Sequence, residues 1–556
     1  MLDYSRCRLV PFAHQRVGIE ALVERLAFAL FDEMGAGKTK QVIDAAQFLF
    51  RLGLIKRVIV VAPNSVRGVW YDPQLGELAK HLWNDMAATV TMFHAKVRTW
   101  SWNPSNSDAR RLDWYITNYE FIRAAARLDE LFKVVDGDTL LVLDESSYIK
   151  NPSAAQTKAC MTLRWGVKEN LRRKIRARAG CGRVVILNGT PIANNPLDLF
   201  TQSNILDPRI LANTPTWIHF RAYYAIMGGF HVGGRPVQII GWQRLDELQN
   251  RLKPFVLRRL KKDCLDLPPK LAPVTLTATL TPETWRVYKQ MRDDMVTWLN
   301  SSDVVIVQQA FVKYLRLAQL TSGFIGGFES DKPPASDGIY TDNRSSGNRE
   351  VYIPEEQRPL PESRDEFFED IDAGDGEHVV REVGREKLDV LLDWLAERLD
   401  AKPDFKVIVW CRFRPEVARL LVAVRERFPK MAVGAIHGGQ NLAQRQEAIR
   451  MMTPETAPEG PALVVGTPST GSMGLTLVAA DHVVYLSQDY RLVTRLQSED
   501  RVHRPGQTRP VSYFDIVAVG PNGQKTVDHT IVKALHDKEN VAEWTSRGWV
   551  SALLAE

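Results

Sequence analysis

The stretch Asp32-Glu33-Met34-Gly35-Ala36-Gly37-Lys38-Thr39 combines backbone freedom with charge. Glycines let a chain curl until successive N–H groups face one point, and N–H groups so aimed bind a polyphosphate. Apolar Leu26–Leu30 precedes the stretch and a helical pattern follows it, so the positive end of a helix is directed at the same phosphates. In this arrangement Gly35, Ala36 and Gly37 line the cradle, Lys38 reaches the β- and γ-phosphates, and the Thr39 hydroxyl binds Mg²⁺. The full phosphate-loop pattern has glycine where this chain has Asp32, and a short GxGKT also arises by chance.

Further groups support the same chemistry. Leu140-Leu141-Val142-Leu143 runs into Asp144-Glu145-Ser146-Ser147. A buried strand ending in two acids suits nucleotide hydrolysis: Asp144 holds the Mg²⁺ and Glu145 polarises the attacking water. In isolation an acidic turn at a strand end looks the same. Asn188-Gly189-Thr190-Pro191 follows the strand Val184–Leu187, and loops at the carboxyl ends of parallel strands are where such sheets bind ligands. Far along the chain, Arg501 and Arg504 stand three residues apart with His503 between them. On a helix i and i+3 share a face, so both guanidinium groups are expected to point one way, toward a γ-phosphate. The alternative is a solvated basic helix.

These residues need a scaffold that presents loops at one edge. Short apolar, β-branched runs alternate with helical stretches in two regions, which predicts an α/β fold of two parallel-sheet lobes with helical insertions between them. The first lobe is expected over 1–206, with strands at Arg57–Ala62, Leu140–Leu143 and Val184–Leu187. The second is expected over 386–556, with strands at Lys406–Trp410, Ala462–Val465 and His482–Leu486. Residues 207–325 read mainly as helices. Thr281-Pro282-Glu283 is a helix start, and Trp285, Tyr288, Met291, Met295 and Trp298 then recur at helical spacing as packing core. Residues 326–385 are rich in Pro, Gly, Ser and acids, including Asp365–Asp370, and read as a partly disordered insertion.

Bulk properties narrow the class only a little. The 556 residues are 45% hydrophobic and 25% charged, an ordinary globular balance, with a net charge of +6. That excess fits a nucleic-acid binder and many other enzymes as well. Five cysteines without a CxxC pair argue against a zinc module or a disulfide framework, and read as reduced, packed thiols. The N-terminus lacks a signal-peptide layout and no run of ~18 apolar residues spans a membrane. The expected location is the cytosol of a bacterial or phage-infected cell, or the nucleus of a eukaryote.

The series of motifs resembles the Swi/Snf-type ATPases of helicase superfamily two over most of the chain, which implies that the two parallel-sheet lobes are RecA-like. Pro11–Gly18 resembles the family's adenine-reading segment, with Gln15 as the base contact. Val61–Val66 followed by Trp70, and then Tyr115–Glu120, resemble its DNA-backbone motifs. Asp144–Ser147 with Ile149-Lys150-Asn151 resembles the acidic box, Gly189-Thr190-Pro191-Ile192 with Asn194-Asn195 the coupling motif, and Pro254–Arg259 with Leu267–Lys270 the segment leading toward the second lobe. There, Val407–Phe413, Ile436–Gly439 with Arg445-Gln446, and Ser469–Leu477 are similar to later motifs, the last implying Gly474 at the nucleotide. Gln497-Ser498-Glu499-Asp500-Arg501-Val502-His503-Arg504-Pro505-Gly506-Gln507 is similar to motif six, which implies a catalytic Gln497 and arginine fingers at Arg501 and Arg504. The acidic box is DESS, so the histidine that usually couples the lobes is absent at Ser147. The DES and MGLT variants lean toward the branch that contains the annealing helicases.

The resemblance implies a monomeric ATP-driven motor on double-stranded DNA that grips the backbone without reading sequence, with DNA-bound proteins as further partners. Its track is expected to be lined by Pro63, Asn64, Ser65, Thr117, Asn118, Thr190, Arg412, Phe413, Thr470 and Gly471. Two basic runs, Leu171–Arg178 and Arg258–Lys262, either add DNA contacts or form solvated faces. The competing functions are a strand-separating or annealing helicase on forked DNA or RNA, and a non-catalytic DNA clamp.

Overall fold

The computed structural model describes the chain except residues 1, 75, 105–109, 168–176, 190, 193–195, 233–234, 302–306, 328–338, 342–349, 353–378, 439, 441, 469–474 and 538–556. Its strands, in chain order, begin with β1 (Ala27–Leu30), β2 (Arg57–Ala62), β3 (Ala87–Met92), β4 (Arg98–Trp102), β5 (Arg111–Asn118), β6 (Thr139–Leu143) and β7 (Arg183–Leu187). Then follow β8 (Ala225–Val232), β9 (Arg235–Trp242), β10 (Val256–Leu257), β11 (Val274–Thr279), β12 (Phe324–Gly327), β13 (Ile339–Thr341), β14 (Glu350–Tyr352) and β15 (Val379–Glu382). The last are β16 (Lys406–Trp410), β17 (Ala432–Ile436), β18 (Ala462–Gly466), β19 (His482–Tyr485) and β20 (Ser512–Val519).

Eight strands form one sheet in the order β10-β1-β7-β6-β2-β5-β3-β4, parallel except for the β3–β4 pair. Its strands are apolar at consecutive positions because both faces are covered. Val58, Val60 and Ala62 of β2, Leu140 and Val142 of β6, and Val185 and Leu187 of β7 enter one core. Ile59, Val61, Leu141, Leu143, Val184 and Ile186, the alternate residues, enter the core on the opposite face. A second sheet has the order β11-β20-β19-β16-β18-β17, with parallel pairing from β20 to β17. The fold is therefore α/β with two parallel-sheet lobes. The predicted strands at 57–62, 140–143, 184–187, 406–410, 462–465 and 482–486 are all present, within a residue at their ends.

Two compact units divide the chain. The first comprises Met1–Leu276, Leu392–Ile516 and His529–Glu556, and so includes the phosphate loop, the acidic box and motif six. The second comprises Thr277–Leu391 and Val517–Asp528. In it the helix Pro282–Ser301 starts where predicted, with the Thr284 N–H donating to Thr281 Oγ1 at 3.3 Å. Tyr288 is buried, stacks on Trp285 at 5.4 Å, and its hydroxyl accepts the Val527 N–H at 2.8 Å. Asp528 accepts from Thr321 Oγ1 and Ala518 N–H, and pairs with Lys387 at 2.6 Å.

The expectation of mainly helices over 207–325 needs correction. That stretch also holds the hairpin β8–β9, the edge strand β10 of the first sheet, and β11 of the second. Most of the insertion read at 326–385 lies outside the described residues; within it β13 pairs with β14 and β15 with β12, both antiparallel. Four of the five cysteines are buried and none is bridged. Among the described residues no helix is long and apolar enough to cross a membrane.

The second lobe is fastened by one buried cation. Arg495 lies over the Tyr485 ring at 3.5 Å and pairs with Glu499 at 2.5 Å and Asp515 at 2.6 Å, all three charged side chains being nearly inaccessible. Removing one member of such a group strands the others out of water, at a cost of about 3–5 kcal/mol. Arg495→Ala is therefore expected to lower the melting temperature of the second lobe markedly in a thermal-denaturation scan, while Arg427→Ala, which breaks an exposed pair with Asp393, leaves it almost unchanged.

Candidate ATP site

Parallel pairing puts the carboxyl ends of β1, β7 and β6 side by side, and the loops that follow them meet there. After β1 the chain turns through Gly35 (φ +79°) and Gly37 (φ +77°), left-handed conformations that disfavour a Cβ, and then enters the helix Lys38–Arg51. A Cβ on Gly37 would lie 2.2 Å from Gln15 Nε2. Gln15 is buried and its amide also caps the helix Ala13–Glu24 by accepting the Phe12 N–H at 3.0 Å. Lys38 bends back over its own loop, donating to the Asp32 carbonyl at 2.8 Å and the Glu33 carbonyl at 3.3 Å. Burial pulls its pKa down against the pull of Glu145, Asp32, Asp144 and Asp500.

The departure at Asp32 has a structural reason. Its carboxylate is buried and clamped by Arg259, whose Nε donates to Oδ1 at 2.9 Å while a terminal nitrogen meets Oδ2. Arg259 also reaches Gln41 Oε1 at 3.0 Å and the His14 carbonyl. Beside it the Arg258 guanidinium is buried and donates to the Phe31 carbonyl at 2.9 Å. The run Arg258–Lys262 thus follows the strand next to β1 and braces the phosphate loop. Its Arg258 and Lys261 are buried, so the reading of this run as a DNA contact or solvated face is corrected. Residues 171–176 of the other basic run lie outside the described residues.

Two buried aromatic residues hold the acidic box. Trp70 Nε1 donates to Asp144 Oδ2 at 2.8 Å, and the Tyr119 hydroxyl donates to the Asp144 carbonyl at 2.7 Å. Burial pushes the Asp144 pKa up, and the Trp70 hydrogen bond and the Lys38 charge oppose it. Glu145 has φ +52°, which costs a non-glycine residue roughly 1–2 kcal/mol. Strain of this kind persists where a side chain is needed at one place. Its Oε1 accepts from Gln497 Nε2 at 3.3 Å, while Oε2 is buried with no hydrogen-bond partner among the described residues. Burial first, and then the Asp144 charge, raise the Glu145 pKa to about 7.

Motif six does not lie on one helix. The helix Leu492–Asp500 ends before Arg501, and Arg501 and Arg504 follow in turns, so the shared helical face expected for them is absent. Arg501 is 7% exposed, its Nε is buried without a hydrogen-bond partner among the described residues, and burial lowers its pKa to about 10 against the attraction of Asp500 and Glu145. Arg504 turns instead to the Leu475 carbonyl at 2.8 Å and Thr476 Oγ1 at 3.1 Å. Two opposite charges from different lobes, Glu145 and Arg501, each keep an unpartnered polar atom out of water. That is costly unless a ligand group fills the gap. A γ-phosphate and its attacking water fit both.

The other candidate residues are placed unevenly. Pro63 and Asn64 begin the helix after β2, with Pro63 buried and Asn64 exposed; Ser65 is on that helix. Thr117 and Asn118 end β5 and are buried, Asn118 accepting the Phe121 N–H at 3.2 Å. Phe413 is buried at the start of the helix Arg414–Arg427, and Arg412 stacks over its ring at 5.2 Å. The side chains of Thr117, Asn118 and Phe413 are thus turned inward rather than lining a track. Thr190, Thr470, Gly471 and Gly474 lie outside the described residues. Thr39 opens the helix of the phosphate loop, one residue after Lys38.

Ser146, the residue before Ser147, ties the acidic box to other residues of the first lobe. Ser146 Oγ donates to Gln202 Oε1 at 2.6 Å and accepts from Asn188 Nδ2 at 3.3 Å, and Gln202 Nε2 donates to the Pro191 carbonyl at 3.1 Å. Gln202 is not singled out in the sequence, whereas Trp70 and Tyr119 stand there as parts of the DNA-backbone motifs. A cavity of about 460 Å³ in the second lobe, lined by Leu421, Arg425, His437 and Met451 among others, contains none of these groups.

The Glu145 shift has a sign that can be measured in the nucleotide-free chain. A carboxyl whose pKa rises from 4.5 to about 7 on folding holds its proton in the native state over a range where the unfolded chain has lost it. Stability therefore falls as pH rises from about 4.5 to about 7, and the cost is complete above that range. Glu145→Gln removes this cost, so its melting temperature is expected to exceed that of the parent at pH 8 and to match it near pH 4.5.

A family model described as the SNF2-related domain matches residues 14–322, more than half of the chain, and one described as the helicase conserved C-terminal domain matches 386–506. Over 92% of its length the chain is 24% identical to the Drosophila melanogaster SWI/SNF-related matrix-associated actin-dependent regulator of chromatin subfamily A containing DEAD/H box 1 homolog, covering 57% of that protein. Over 94% it is 25% identical to the Mus musculus DNA repair and recombination protein RAD54B, covering 55% of it, and similarly to an Aspergillus fumigatus TATA-binding protein-associated factor mot1, covering 26%. The chain thus spans little more than half, or less, of these relatives. It is also similar to the Sulfolobus solfataricus SWI2/SNF2 ATPase core in complex with dsDNA, at 19% identity and a TM-score of 0.38 over 98% of this chain and 96% of that one. The chain belongs to the SNF2-related family of helicase superfamily two, as an ATP-hydrolysing, helicase-like enzyme.

Proposed function

We propose that this enzyme is an ATP-dependent translocase on double-stranded DNA, which uses nucleotide hydrolysis to move along the duplex or to remodel protein–DNA complexes. The observation that carries the reading is the composite pocket: Glu145 and Lys38 from the first lobe face Gln497 and Arg501 from the second. Gly35, Ala36, Gly37 and Lys38 would hold the phosphates of ATP, Gln15 its base, and Thr39 and Asp144 the Mg²⁺. Bound there, Mg²⁺ supplies positive charge to the phosphoryl oxygens. Trp70 and Tyr119 fix Asp144, and Gln497 orients the Glu145 carboxylate that polarises water. Arg501 neutralises charge that develops on the transferred phosphoryl group, an effect worth about 10³–10⁵ in rate in related arrangements.

Because the two halves of the pocket belong to different lobes, occupancy favours closure and hydrolysis relieves it. Motion reaches DNA if each lobe grips the backbone. Pro63–Ser65 begin the helix that ends near Trp70, the residue bonded to Asp144, so the proposed grip and the proposed metal carboxylate share one helix. The similarity to a chromatin regulator and to a DNA repair and recombination protein agrees with duplex DNA as the substrate. Backbone gripping carries no sequence preference.

The test is ATP turnover with duplex, forked and single-stranded DNA and RNA, beside displacement of a triplex-forming strand and of a duplex strand. Duplex DNA is expected to stimulate turnover and triplex displacement to need ATP. Strand separation without triplex displacement would indicate a helicase, and no turnover with any nucleic acid would indicate a clamp. Lys38→Ala and Glu145→Gln are expected to abolish turnover while duplex binding, measured by anisotropy, survives; near-normal turnover in Glu145→Gln would refute the role given to that carboxylate.

A further inference from the structure

Lys261 follows the edge strand β10 closely, and its side chain is only 7% exposed. Its backbone N–H donates to Glu33 Oε2 at 2.8 Å, anchoring it to the phosphate loop. Its amine pairs with the buried Asp500 carboxylate and donates to the His503 carbonyl at 2.8 Å. The same amine lies against the cradle: a Cβ on Gly35 would come within 3.3 Å of Lys261 Nζ and 2.6 Å of Asp500 Oδ1. A single cation from the first lobe therefore touches the glycine of the phosphate loop and grips residues on both sides of Arg501. Burial alone would raise the Asp500 pKa, but the charges of Lys261, Arg504 and Arg501 outweigh it and keep the carboxyl ionised. Away from water the attraction is weakly screened, so the contact fixes position as well as charge.

We propose that Lys261 is a positioning residue of the hydrolytic cycle, pinning the Asp500–His503 turn to the phosphate loop and thereby setting the place of the Arg501 guanidinium. This rests on the reading of the pocket as the ATP site. Lys38 and Lys261 then have separate tasks, one on the phosphates and one on the finger. The division predicts a loss of turnover without a matching loss of nucleotide affinity.

The experiment uses the full chain. Lys261→Met alone strands the buried Asp500 carboxylate, so it is accompanied by Lys261→Met/Asp500→Asn, which removes both charges, and by Lys261→Arg, which keeps the cation. Turnover, affinity for methylanthraniloyl-ADP, and backbone hydrogen exchange of residues 500–504 in the nucleotide-free chain are measured, with Arg501→Ala as a second background. In the double variant kcat is expected to fall about 30-fold or more while the labelled-ADP affinity changes by less than about 3-fold, and the turn is expected to exchange faster. Lys261→Arg is expected to recover most of the rate. In the Arg501→Ala background the pair's loss is expected to cost no more than about 2-fold further, because two residues acting through one group are not additive. An equal loss in both backgrounds, or normal kcat in the double variant, would overturn the proposal. A parent chain that neither binds labelled ADP nor hydrolyses ATP would overturn instead the ATP-site reading beneath it.

Discussion

Charge taken out of water governs this molecule. Within one pocket stand Lys38, Asp144, Glu145, Asp500 and Arg501, the titration of each displaced by burial except that of Asp500, where the charges of Lys261, Arg504 and Arg501 prevail. An isolated buried ion costs several kcal/mol, more than most single contacts return, so such groups persist only with partners. The surrounding sequence supplies them: Arg259 for Asp32, Lys261 for Asp500, Trp70 for Asp144, and, further out, Arg495 for Glu499 and Asp515. Against that background the unpartnered atoms are informative. Among the described residues Glu145 Oε2 and Arg501 Nε are two of several buried polar atoms without a hydrogen-bond partner, and they belong to the two residues from opposite lobes to which the hydrolytic chemistry is assigned.

The backbone serves the same end. Every parallel strand delivers its following loop to one edge, so an acidic box and a coupling loop can converge on a phosphate loop that lies more than a hundred residues before them. The sheet itself needs only apolar side chains on both faces, which leaves its carboxyl edge free to carry polar, strained and glycine-rich turns. Glu145 in a left-handed conformation and the paired left-handed glycines 35 and 37 are where that freedom is used.

Much of this was legible in the sequence. Buried parallel strands read as short β-branched runs, so β2, β6, β7, β16, β18 and β19 could be located within a residue. The phosphate loop and acidic box were visible because glycine, lysine and adjacent acids are chemically distinctive. The strands β8 to β11 were not, because β10 has two residues and β11 is largely exposed, so neither shows an apolar run. Partnerships between distant residues were invisible for another reason: Arg259 with Asp32 or Ser146 with Gln202 depends on folding, and in the sequence a basic run looks the same whether buried or solvated. The helical face given to Arg501 and Arg504 failed because the helix stops at Asp500, after which the Arg501 and Val502 N–H groups bond three residues back, to the Ser498 and Glu499 carbonyls, in tighter turns.

The central claim is that one nucleotide is enclosed by both lobes. The most direct measurement is an experimental structure of the chain with Mg²⁺, ADP and aluminium fluoride, a mimic of the phosphoryl group in flight. The account predicts the Arg501 guanidinium within about 3 Å of the fluoride and Glu145 beside the water in line with it. A mimic held by the phosphate loop alone, with Arg501 still turned away from it, would contradict the account.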